Sequence, residues 1–132
     1  MGTNNGIGIE RIVEGTFDDV VARAETALKA EGFGILTRID VKATLKEKID
    51  QDFTNYVILG ACNPTLAFKA LTSTKDIGLL MPCNVVVYEN ESGEIVVSAI
   101  NPQVMSQALP DADLSEVVQP ATEKLTSAIN NV

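Results

Sequence analysis

Three short runs of the chain are apolar on both parities: "YVILGA" at 56–61, "NVVVY" at 84–88 and "EIVVSAI" at 94–100. Side chains alternate along a strand, so a strand with one wet face reads apolar, polar, apolar. These three do not. They predict the middle of a β-sheet covered on both faces, and that requirement limits the chain more than any other feature. "NESG" between the last two runs predicts a hairpin with a glycine-containing turn.

The flanking segments supply the cover. "GIERIVEG" predicts a strand with Ile7, Ile9 and Val13 on one parity, broken by Arg11. "TFDDVVARAETALKAEG" places Phe17, Val20, Val21, Ala24, Ala27 and Leu28 at helical spacing. Thr16 is positioned to cap that helix, Asp18 and Asp19 suit its positive end, and Gly32 suits its termination. "FGILTRIDV" alternates, with Phe33, Ile35, Thr37, Ile39 and Val41 on one face of a strand. "KATLKEKIDQDF" carries Leu45, Ile49 and Phe53 at four-residue steps, a narrow stripe on a helix whose Lys42, Lys46 and Lys48 are solvated.

In "NPTLAFKALTS", Asn63 is placed to cap and Pro64 takes the first helical position, with Leu66, Ala67, Ala70 and Leu71 as the buried stripe. "DLSEVVQPATEKLTSAIN" offers Asp113 as a cap with Glu116 in the capping-box position. Val117, Val118, Ala121, Leu125, Ala128 and Ile129 face inward there, and Pro120 is expected to kink or split the helix.

The predicted order is β-α-β-(α)-β-(α)-β-β-α, one domain over residues 1–132. It describes an α+β fold with a mainly antiparallel sheet and the two long helices on one face. The second apolar face then needs the two shorter helices, another subunit, or both. A homodimer is expected.

Composition narrows the function. The chain has 132 residues, enough for one sizeable core. Lys plus Arg number 10 against 18 Asp plus Glu, a net charge of −8. Such a surface repels phosphate backbones and anionic membranes, so neither nucleic acid nor membrane is an expected partner. With no histidine, a Cys-His dyad or a His metal ligand is excluded. Two cysteines cannot close a four-ligand structural zinc site within one chain. No cofactor is expected. The start "MGTNNGIGIE" is not the pattern of a signal peptide, and no run approaches the ~18 apolar residues of a membrane span. The expected location is the cytoplasm, where thiols stay reduced.

The two cysteines are the only candidates for chemistry. Cys62-Asn63 closes one apolar run and Cys83-Asn84 opens the next, preceded by Pro82. If Asn63 caps the following helix, Cys62 lies just before a positive helix end, which favours a thiolate. Antiparallel neighbouring strands would bring the two thiols together, whereas a right-handed crossover between parallel strands would send them to opposite sheet edges. The packing reading is that cysteine at a strand end fills space like a small hydrophobe. "GIG" at 6–8 and "GFG" at 32–34 lack the third glycine of a dinucleotide loop. Glu89, Glu91 and Glu94 read as a solvated hairpin, and Tyr56 and Tyr88 as edge or interface aromatics.

Residues from "ILTRIDVKATLKEKI" through "YVILGACNPTLAFKAL" to "GLLMPCNVVVYE" and the following "NP" at 101–102 resemble the domain of unknown function 302 family. "GACNP" and "LLMPCNVVVYE" carry the resemblance most specifically. It implies a compact dimeric α+β domain similar in strand order to the TATA-binding-protein-like β-α-β(4)-α arrangement, with an antiparallel meander after the first helix. The family's motifs place Cys62, Asn63, Pro64, Pro82, Cys83 and Asn84 at characteristic positions. No activity follows from the resemblance.

Two functional expectations result. One is a thiol-centred site at Cys62 and Cys83, acting as sulfur carrier, redox centre or soft-metal site. Its ligand-binding residues would be Cys62, Asn63, Pro64, Cys83 and Asn84, and its ligand a small molecule or sulfane sulfur. The other is a non-catalytic small-ligand or protein-interaction domain whose pocket lies between the sheet and the short helices, with the cysteines as wall residues. An enzyme ranks third: no base sits beside either cysteine, and no catalytic residue is named.

Overall fold

The computed structural model describes residues 2–132. The strands are β1 (Thr3–Asn4), β2 (Gly8–Val13), β3 (Gly34–Asp40), β4 (Tyr56–Cys62), β5 (Cys83–Glu89) and β6 (Ile95–Ile100). The helices are α1 (Phe17–Ala30), α2 (Val41–Ile49), α3 (Pro64–Ser73), α4 (Gln103–Ala108) and α5 (Ser115–Asn130), with a 3-10 turn at Lys75–Leu80. All six strands pair antiparallel in one open sheet of order β1-β2-β6-β5-β4-β3. The mainly antiparallel α+β reading of the sequence is the fold observed. The edge strand β1, the 3-10 turn and α4 are additions to the predicted order.

Local signals act as the sequence implies at three places. The Thr16 hydroxyl accepts from the Asp19 amide at 3.2 Å, and Gly32 leaves α1 with a φ of +85°, a conformation that suits glycine. The Asn63 side chain accepts from the Leu66 amide at 3.2 Å, and Pro64 opens α3. In the hairpin, Asn90 accepts from the Ser92 and Glu94 amides, and Gly93 takes a positive φ.

One face of the sheet, with Ile9, Val13, Val57, Leu59, Ala61, Val85, Val87, Val97 and Ala99, is buried against α1 and the C-terminal half of α5. Arg11 shares this parity and still belongs there. Its Nη1 donates to the carbonyls of Ile129 at 3.2 Å, Asn130 at 3.1 Å and Val132 at 3.3 Å. Carbonyls at a helix C-terminus lack intrahelical partners and carry partial negative charge, so a guanidinium satisfies both. A second, smaller cluster holds Leu66 and Ala70 of α3, Ile77, Met105 of α4, and Leu114, Val117 and Ala121 around the start of α5.

Four expectations are corrected. Phe33 to Val41 do not share a face, because the β3–β4 register shifts between Ile35 and Thr37. Ile35 opposes Ala61 on the helix side, but Thr37 opposes Gly60 and Ile39 opposes Ile58 on the other side. One extra residue reverses the parity of everything after it. Arg38 thereby turns to the helix side and pairs with Glu25 of α1 at 3.6 Å, while Val41 begins α2.

Pro120 neither kinks nor splits its segment, since α5 runs unbroken from Ser115 to Asn130. The amide that proline lacks costs one bond in the second turn, where α5 is held by α3 and α4, with α1 packed further along it. The capping box does not form either. Asp113 accepts from the Ser115 amide at 3.2 Å and hydroxyl at 2.7 Å, and the cap position falls to Leu114.

Finally, the two shorter helices do not cover the second sheet face. Helix α3 joins α5 in the smaller cluster, and α2 packs mainly on β3 and β4 without burying a residue. On that face Ile12 is 55% exposed and Ile39 45%. Tyr56 and Tyr88, cross-strand partners on the same face, stack with ring centroids 5.3 Å apart.

Candidate functional site

Residue types at the end of β4 and the start of β5 determine how the two cysteines sit. Gly60 opposes Asn84 and Ala61 opposes Cys83. A Cβ at Gly60 would lie 2.9 Å from Pro82 and would also collide with the Thr37 hydroxyl. Only glycine there lets the chain at Pro82 close down on β4 before β5 begins.

The expectation of a thiol pair is corrected by this register. Ala61, not Cys62, is the residue facing Cys83, and Cys62 pairs outward with Gly34 of β3. Successive residues of a strand point to opposite faces, so the two thiols are not a facing pair. Both are free and half-buried.

What the strand ends share is a cavity of about 30 Å³ at the junction of the two core clusters. Cys62, Asn63, Pro82 and Cys83 form its sheet-side wall, and Leu66, Ala70, Met81, Met105, Val117 and Ala121 supply the rest with Phe33, Ala61 and Ala67. Of the five residues expected to bind a ligand, Cys62, Asn63 and Cys83 therefore line one space. Pro64 does not reach it. Asn84 lies on a separate groove with Leu79, Leu80 and Ile100.

The wall is apolar apart from Asn63 and the sulfur atoms. Burial, and then the charge of Cys62 nearby, push the Cys83 thiol up to about 11. No histidine, lysine, arginine or carboxylate lines the cavity to oppose that shift. Cys83 is thus a protonated thiol at neutral pH, the unreactive form. Among the described residues, no three His, Cys, Asp or Glu side chains group as a metal site.

Sequence reasoning missed the opposite wall. Met105 sits in α4, a six-residue helix with no side-chain cap, and Met81 lies in the link after the 3-10 turn. Neither segment carries a periodic pattern. The signal that could have found them is the rarity of sulfur in this sequence: three methionines and two cysteines.

Among the described residues, no helix is long and apolar enough to cross a membrane. Comparison with curated proteins gives no match. A solved structure, an uncharacterized conserved protein DUF302 from Bacillus stearothermophilus, superposes with a TM-score of 0.88 at 28% identity. The likeness covers 96% of this chain and 98% of that one. A family model described as "Domain of unknown function DUF302" matches residues 9–132, which include every strand of the sheet except β1 and the first residue of β2. On this match the chain belongs to the DUF302 family.

Proposed function

We propose that this domain is a non-catalytic binding module, working as a homodimer, whose ligand seat is the cavity between the β4–β5 strand ends and α3, α4 and α5. The observation that carries the reading is the wall itself: apolar, with a protonated Cys83 and no base within it. Nucleophilic, redox or sulfur-carrying chemistry at that thiol needs the thiolate, which this environment opposes. The sulfur-carrier and redox readings therefore rank below binding. At about 30 Å³ the space suits an atom or a few atoms, since pockets for drug-sized ligands run to roughly 300–1,000 Å³.

The second copy is the partner favoured for the uncovered sheet face. Across β4, β5 and β6 that face presents Tyr56, Ile58, Gly60, Asn84, Val86, Tyr88, Val96, Ser98 and Ile100, with no charged side chain. In a chain of net charge −8, a stretch of sheet whose one flanking carboxylate in β2 is Glu10 is one on which two copies can meet with little like-charge repulsion.

The cavity is tested with xenon, read by amide chemical shifts of labelled protein. Shifts confined to residues such as Ala61, Cys83, Met105 and Ala121, and abolished by Ala121→Val, support the reading. Shifts scattered over the surface, or none under pressure, would sink it.

A further inference from the structure

The sequence contains five sulfur-bearing residues, and four of them, Cys62, Met81, Cys83 and Met105, line this one cavity of thirteen wall residues. The fifth is Met1. They arrive from separate places: the end of β4, the link after the 3-10 turn, the first residue of β5, and α4. Independent segments bring four sulfur-bearing residues to one small space, whose wall has no oxygen or nitrogen donor except the Asn63 side chain and the backbone, and that is a chemical selection. Thiolate and thioether donors favour soft, monovalent copper, whereas carboxylates and imidazoles, the donors of harder ions, are missing from the wall.

We propose that the cavity is a Cu(I) site, with Cys83 as the thiolate ligand and Met81 and Met105 as thioether ligands. The inference rests on the reading of this cavity as the ligand seat. As the Cu–S bond forms, the Cys83 thiol releases one proton to solvent, and copper remains Cu(I) throughout. Cys62, Met81 and Cys83 are each only half-buried, which leaves the ion a path from solvent.

The test is anaerobic titration of the full chain with Cu(I) alone, against the chromophoric chelator bathocuproine disulfonate. One Cu(I) retained per chain is expected, with a sulfur-only shell by X-ray absorption. Cys83→Ser should abolish retention. Met105→Leu and Met81→Leu, which conserve volume, should each weaken it on the order of tenfold or more, since even outer-shell changes cost that much at metal sites. If Cys83→Ser fails to fold by circular dichroism, the two leucine variants decide. Failure to retain Cu(I), or retention lost only with Cys62→Ser and indifferent to both leucine variants, would overturn the proposal in favour of plain packing or an adventitious surface thiol. Xenon occupying the cavity while Cu(I) is not retained would overturn this inference and leave the binding-module reading intact. Neither entering would end both.

Discussion

Tyr56 and Tyr88 face each other across the β4–β5 ladder with their rings stacked at 13°, on the sheet face opposite α1 and α5. Phe53 packs beside them with its centroid 6.0 Å from that of Tyr56. Aromatic groups of this kind, partly exposed on a flat apolar sheet, are the residues that dominate protein interfaces. Tyr88→Glu places a carboxylate within the aromatic group of that face in each copy. Wild-type chain is expected to sediment as a dimer at micromolar concentration and the variant as a monomer; an unchanged sedimentation coefficient would remove this face from the interface.

Arg11 closes the end of α5 on the helix-covered side of the sheet. Arg11→Ala strips three carbonyls of their donor, and a loss of about 1–3 kcal/mol is expected from the charged hydrogen bonds and the helix end together. Urea denaturation measures it. A change under about 0.5 kcal/mol would mean that water replaces the guanidinium without cost.

The Cys83 thiol gives a pH signature. Raising its pKa from 9.0 to about 11 leaves roughly a hundredfold less thiolate than an ordinary thiol at the same pH, so alkylation of Cys83 at neutral pH should be slower than in denatured protein by about that factor. The folded state favours the protonated form. Its contribution to stability is therefore complete below pH 9.0 and is lost as pH rises toward 11. Tyr56, raised first by burial and then by Tyr88, titrates in the alkaline range as well. The contrast between wild type and Cys83→Ser isolates the cysteine. Parallel stability curves for the two proteins across pH 9 to 11 would contradict the burial argument.

Gly60→Ala tests how tightly the chain at Pro82 closes on β4. The added methyl would meet Pro82 at 2.9 Å as well as the Thr37 side chain, and about 1–3 kcal/mol of destabilisation is expected. Adding Thr37→Ala removes the colliding hydroxyl and leaves the proline contact in place, so the double variant should recover only part of the loss in thermal unfolding. Full recovery would place the strain at Thr37 alone.

Much of this architecture is legible in the residues. The caps at Thr16 and Asn63, the proline opening α3, the hairpin at Asn90–Glu94 and the apolar faces of β4, β5 and β6 all follow from local chemistry, because each depends on groups a few residues apart. The bulge between Ile35 and Thr37 was not legible, since alternation continues through it and only pairing with β4 reveals the slip. Nor was the unbroken α5, in which packing against α3 and α4 outweighs one missing amide at Pro120.

The cavity divides the same way. Composition alone removed histidine chemistry, and the Cys-Asn pairs mark the two strand ends that border the cavity. Tertiary structure decided the rest: that Ala61 rather than Cys62 faces Cys83, that Asn84 turns to another groove, and that Met81 and Met105 complete the wall. Short-range hydrogen bonds are written in neighbouring residues, whereas ladder register and the meeting of distant side chains exist only once the whole chain has closed around its core.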